Sequence, residues 1–306
     1  MPSMFDPVDV PFMGAKKEHE MPDADVVIFG APHGTPYRDI DNTPYAAAPD
    51  SLRAALAEDS QWLDHWDFDL DGPLLNDGPC RVADAGNLKT SFQDGAGNRS
   101  LIETATSEIL KADAVPVMIG GDDSTPIPFI KALAPLGPLT IIQIDAHIDW
   151  RDERRGEPLG FSSTMRRASE MDHVKQIVQV GIRGLGSARR TEVEIARDWG
   201  ATIIPARELH RNGIETVMQH LTPASNCMIT IDCDGLDSVI MPAVMAPTPG
   251  GLTYYQTVDL IAAVSSTCNL VAFDMIEFVP TRDSTGTSAF TAARILANVI
   301  GCLARR

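Results

Sequence analysis

The sequence predicts an α/β protein, a three-layer α/β/α sandwich around a mostly parallel sheet of about eight strands. Three observations carry that expectation. Short apolar runs lack the alternation of a half-exposed sheet, so they read as strands buried on both faces. Stretches with helical spacing separate them, and the runs are bounded by Gly, Pro or Asp.

In chain order the strand runs are "VVIFGAP" from Val26, "VADAGN" from Val82, "VPVMIGGD" from Val115 and "LTIIQIDAH" from Leu139. They continue with "VKQIVQVGIR" from Val174, "ATIIPA" from Ala201, "NCMITIDCD" from Asn226 and "LVAFDMIEF" from Leu270. Helices are expected at 98–113, 190–200, 255–267 and 288–306; in the last, Leu296, Ile300 and Leu303 recur at helical spacing and form a core-facing stripe. No Ser/Gly linker, charge block or internal repeat divides the 306 residues. One domain over 1–306 is expected, with an N-terminal arm at 1–24.

Hydrophobic residues make up 44% and charged residues 22% of the chain, a composition able to bury a sizeable core. A formal net charge of -17 repels nucleic acid and anionic membrane while attracting small cations and metals, so neither nucleic acid nor membrane is an expected partner. The five cysteines, Cys80, Cys227, Cys233, Cys268 and Cys302, are odd in number and form no C-x-x-C pair. That argues against a disulfide framework or a thiolate zinc site and fits a reducing cytoplasm. The first residues lack the apolar core of a signal peptide, and no run reaches the roughly 18 apolar residues of a membrane span.

In parallel sheets the ligand site lies beyond the carboxyl ends of the strands. The residues that close the runs are "GGDDS" (120–124), "DAHID" (145–149), "DCDGLD" (232–237) and "EFVP" (277–280). On an extended chain Asp145, His147 and Asp149 would share one face, and a neighbouring strand end would add Asp232 and Asp234. Ionised carboxylates withdrawn from water cost several kcal/mol each unless paired or bound to a cation. No Lys or Arg is interleaved in these motifs, so a divalent metal is the simplest compensation. Oxygen ligands with one imidazole suit Mn, Fe, Co, Ni or Mg, and the ligands outnumber the needs of one ion, whereas two ions sharing bridging carboxylates would use them all. Two further stretches, "FDLDGPLL" (68–75) and "DCDGL", are weakly similar to the D-x-D-G nucleophile motif of haloacid-dehalogenase-type phosphatases; the first reads as an acidic surface loop.

These motifs, with "GAPHGTPY…AAPDSLRAAL" (30–56), "VGIRG" (180–184) and "TPGGLTYYQ" (248–256), resemble the ureohydrolase superfamily, the arginase and agmatinase family, in order and spacing over about residues 25–300. The resemblance implies a binuclear centre, usually manganese and in some members nickel. One ion would take Asp123, Asp145, Asp149 and Asp232, the other Asp145, His147, Asp232 and Asp234, with Asp145 and Asp232 bridging. It implies hydrolysis of a guanidino group to urea and an amine, and assembly as trimers or hexamers. In that scheme Asp149 would hold a proton of the attacking hydroxide, and Glu277 would pair with the cationic guanidino substrate.

The pattern breaks at two places. Asp123 stands where the family has a histidine, which keeps an oxygen ligand but adds negative charge. Phe161 in "GFSSTMRRA" stands where the family has a proton-shuttling histidine, and a phenyl ring moves no proton. His33, closing the first long run, is a candidate replacement as acid or base. Phe161 and Trp150 point to an apolar substrate pocket, hence to guanidine itself, an N-alkylated guanidine or a biguanide in place of arginine. Charged residues of the insertion 150–163, Asp152 and Glu153 among them, would lie near its mouth. The alternative reading is a weakly active or inactive subunit paired with an active paralogue.

Overall fold

The computed structural model describes residues 4–17, 23–186 and 188–306. Its centre is one sheet whose strands are β1 (Phe5–Asp6), β2 (Lys16–Lys17), β3 (Val26–Ala31), β4 (Val82–Leu88), β5 (Val115–Gly120), β6 (Leu139–Ile144), β7 (Val174–Ile182), β8 (Thr202–Pro205), β9 (Asn226–Asp232) and β10 (Asn269–Ile276). Their spatial order is β1-β4-β3-β5-β10-β9-β6-β7-β8, with β2 also pairing with β4. All pairings are parallel except β1 with β4. The long strands are the eight apolar runs. Strands β1 and β2 add a fringe that two-residue segments could not announce: residues 5–6 and 16–17 of the 1–24 arm pair with β4, while Phe12 and Met13 between them are buried in the core. Residues 1–3 and 18–22 of that arm lie outside the described residues.

The unalternating strand sequences are explained by cover on both faces. Within β6, Ile142 and Ile144 pack into one core with Leu260, Ile261 and Val264 of α8 (Tyr254–Thr267) and Leu296 and Ile300 of α9 (Thr287–Leu303). Ile141, one residue before Ile142, faces the opposite core with Ile102 and Ile109 of α2 (Gly95–Lys111) and Ala196 of α5 (Arg190–Trp199). Successive strand residues point to opposite faces, so each face receives its own helix layer. The predicted stripe is realised: Leu296, Ile300 and Leu303 are buried on the first side. Shorter helices, α1 (Ala48–Ala55), α3 (Pro126–Ala132) and α4 (Thr164–Ala168) among them, had too few turns to show a period.

The segment expected to be an acidic surface loop is a turn at the surface, with Phe68 90% exposed, and it is tied down by ion pairs. Asp67 and Asp69 pair with Arg294 of α9 at 2.9 Å each, and the Tyr254 hydroxyl donates to Asp69 at 2.6 Å. All five cysteines are free. No helix among the described residues is long and apolar enough to cross a membrane.

Candidate metal centre

The middle of the sheet is the run β5-β10-β9-β6, and its strands end at the four acidic motifs. After β5 the chain skips to β6 and only later returns to lay β9 and β10 in the gap. Chain ends therefore diverge from a crevice here, the place where open α/β sheets bind ligands. Asp123, Glu277, Asp232 and Asp234, and the 145–149 segment converge on it.

The backbone departs from the extended course expected of 145–149. Strand β6 stops at Ile144, and Asp149 has φ 44°, while Glu277, just past β10, has φ 64°. Left-handed backbone in a residue with a Cβ costs on the order of 1 kcal/mol and persists where surrounding contacts impose it. One ligand atom from each of Asp123, Asp145 and Asp149 lies within 4.8 Å of the others, and the same holds for Asp145, His147 and Asp234. Asp145 belongs to both groups. Asp232 lines the same cavity, with Oδ1 accepting the Asp234 N–H at 2.7 Å. Gly235 permits the approach of its loop to β6, since a Cβ there would sit 2.6 Å from the Asp145 nitrogen.

Burial, then mutual repulsion, governs the charge state of this cluster. Asp123, Asp145 and Asp232 are each pushed far above the usual carboxylate range by burial, with repulsion added by Asp149 for the first two and by Asp234 for the third. Burial disfavours the imidazolium of His147, yet its hydrogen bond to Asp234 and the surrounding negative charge prevail and raise it to about 9. Asp123 Oδ2 is buried without a hydrogen-bond partner. The acids and imidazole thus fit divalent cations, which would replace shared protons and occupy the orphan oxygen. At pH 7 metal loading is expected to release roughly one proton or more per chain, falling away above pH 9; calorimetry in buffers of different ionisation enthalpy checks this. An apparent enthalpy independent of buffer would count against it.

Other site residues were not singled out in the sequence. Gln143 Nε2 donates to Asp145 Oδ2 at 2.7 Å and to Asp149 Oδ2 at 2.8 Å, and Gln179 Nε2 in turn donates to Gln143 Oε1 at 2.5 Å. The only signal was glutamine within two of the apolar runs. Arg183 donates to the carbonyls of Asp234, Gly235, Leu236 and Thr248 and so ties the loop after β9 to the 248–251 turn. Tyr45 donates its hydroxyl to Glu277 Oε2, and the Asp123 N–H donates to Glu277 Oε1 at 2.9 Å. Burial, with repulsion from Asp122, raises Glu277 to about 8 against these two bonds.

A cavity of about 250 Å³ opens over the cluster, lined by Asp123, His147, Asp149, Asp232, Asp234, Glu277, Tyr45 and Phe161. His33 is not brought there. It lines a separate cavity with its Nδ1 2.9 Å from Thr90 Oγ1, so the expected acid or base role is corrected on position. Trp150 is also displaced from the expected role: it is 2% exposed and packs on Trp199 at 5.9 Å in the core between sheet and helices. Asp152 turns away to Arg167 at 2.7 Å, while Arg151 and Arg154 of the same insertion line the cavity.

The chain is 32% identical over 204 residues to N(1)-aminopropylagmatine ureohydrolase of Thermus thermophilus, an alignment covering 66% of this chain and 67% of that protein. It is 29% identical over 292 residues to the agmatinase of Pyrococcus horikoshii, covering 94% of both. The solved structure of proclavaminate amidino hydrolase from Streptomyces clavuligerus matches with a TM-score of 0.84 at 25% identity, over 98% of each chain. The arginase family model matches residues 24–302, from just before β3 into α9. Because that span contains every strand end that delivers an acid to the crevice, the chain belongs to the arginase family.

Proposed function

We propose that the chain is a metal-dependent amidinohydrolase that cleaves the C–N bond of a small guanidino compound, giving urea or a substituted urea and an amine. The observation that carries this reading is the placement of two ligand groups sharing Asp145 on the same small cavity as Glu277. The relatives' names, a ureohydrolase and an agmatinase, support it. Two divalent ions, manganese or nickel, held by Asp123, Asp145, His147, Asp149, Asp232 and Asp234 would lower the pKa of water and supply a nucleophile at neutral pH.

The protein groups do the remaining work. Glu277 faces the substrate with its carboxylate plane set by Tyr45 on one oxygen and the Asp123 N–H on the other. A carboxylate oxygen has two lone pairs, so each retains one for a guanidinium N–H, and the planar cation is received side-on. Asp149, with Oδ2 fixed by Gln143, accepts the proton of the attacking water and returns it to the departing amine nitrogen. Phe161 gives the wall an apolar face and excludes water near the leaving group.

The test is urea release from a panel of guanidines by the full chain loaded with manganese or nickel, with bound metal counted. Two ions per chain and no urea from any member would overturn the proposal. Tyr45→Phe removes one of the bonds that hold Glu277. Its kcat/KM is expected to fall about 10-fold, with most of the change in KM, as measured by urea release.

A further inference from the structure

Resting on the hydrolase reading, we infer that the substrate carries an anionic group, such as a carboxylate, at the end opposite its guanidino group, and that Arg154 receives it. The acids lining the cavity are Asp123, Asp149, Asp232, Asp234 and Glu277. Four of these would hold metal ions and the fifth, Glu277, the guanidinium. Among the described residues no further carboxylate lines the cavity to receive an ammonium at the substrate's far end. Arg151 and Arg154 line it instead, beside Ile40, Met245 and Ala246.

Arg154 is held as a rigid receptor. Its guanidinium carbon lies 5.1 Å from the Tyr37 ring centroid and 5.9 Å from that of Phe161. The two rings meet edge to face at 4.7 Å. Arg154 Nη2 is 3.3 Å from Asp39 Oδ2, but the same oxygen lies 2.9 Å from Arg155 Nη1. One carboxylate therefore serves two guanidiniums, and positive charge is left beside the cavity. A planar guanidinium presents five N–H donors in a fixed fork that matches a carboxylate. Phe161 cannot move a proton, but it supplies a face against which that guanidinium rests. A cavity lined both by acids that would hold metals and a guanidinium and by a stacked arginine suits a molecule with a cationic head and an anionic tail.

The experiment compares 4-guanidinobutyrate, agmatine and butylguanidine, whose tails are anionic, cationic and neutral, on the metal-loaded full chain. The guanidino acid is expected to exceed agmatine in kcat/KM by about 10- to 100-fold. Arg154→Gln should lower the ratio of 4-guanidinobutyrate to butylguanidine about 10-fold or more, chiefly through KM, and Arg154→Lys should restore part of it. A preference for agmatine, or a ratio unchanged in Arg154→Gln, overturns the inference while leaving the hydrolase reading intact. Urea from none of the three, with two ions bound, counts against the hydrolase reading, and calorimetric binding of the same compounds then decides on Arg154. Binding of the guanidino acid that weakens in Arg154→Gln supports the anion site; equal binding by both proteins, or none, overturns it.

Discussion

The Asp149→Asn protein is expected to lose about 10²- to 10⁴-fold in kcat, while its metal-free form melts at a higher temperature than the unaltered chain. Both effects come from one charge. Activity falls because an amide oxygen is too weak a base to accept a proton from water and a weaker ligand for the proposed metal ions. Stability rises because Asp149 is the largest source of charge repulsion on both Asp123 and Asp145, which are already buried. Removing one negative charge from a metal-free cluster relieves repulsion that the low-dielectric interior screens poorly. Gln143 can still donate to the amide oxygen, so the loop is retained. The opposed signs separate this outcome from simple misfolding, which lowers activity and melting temperature together. Thermal melts after chelation and urea assays after reloading supply the two measurements. A metal-free variant less stable than the parent would refute the electrostatic account.

The strand ends were legible because a carboxylate closing an apolar run is a local conflict. Asp145, Asp232 and Glu277 each follow buried strand residues, and that cost is visible without tertiary information. Their convergence was implied by the parallel α/β pattern, whose carboxyl ends share one edge. The partners that aim the acids were hidden for a different reason. Tyr45 donates to Glu277 across 232 positions, and nothing in "NTPYAAAP" distinguishes it from a core tyrosine. Gln143 could be read as a polar residue tolerated in a strand, until both Asp145 and Asp149 are found on its amide. Trp150 illustrates the reverse error. Adjacency to Asp149 suggested a place in the pocket, but the left-handed turn at Asp149 sends the next side chain into the core against Trp199. Position along the chain predicts proximity of backbone; it does not predict which way a side chain points after such a turn.

Loss of Arg53 is expected to be strongly destabilising although it lies outside the crevice, about 3–5 kcal/mol for Arg53→Ala. Arg53 is 2% exposed on α1 and forks onto Asp84 of β4, with Nε 2.8 Å from Oδ2 and Nη2 2.9 Å from Oδ1. Its Nη1 donates to Asn87 Oδ1 at 2.6 Å. Asp84 also accepts the Phe12 N–H at 2.9 Å and the Gly86 N–H at 3.0 Å, so this carboxylate joins the N-terminal segment, α1 and the edge of the sheet. Alanine would leave its charge buried with two backbone bonds and no cation, and would open a space where the long side chain lay. The cost belongs chiefly to the abandoned carboxylate, because a buried pair is worth little net while a buried single charge is worth a large penalty. Hence the double change Arg53→Met with Asp84→Asn should be less damaging than Arg53→Ala alone, since it removes both charges and refills most of the volume. Urea denaturation midpoints of the two proteins, compared at constant slope, give the answer. If the double variant is the less stable of the two, the pair itself stabilises the fold, and the penalty assigned to an uncompensated Asp84 is wrong.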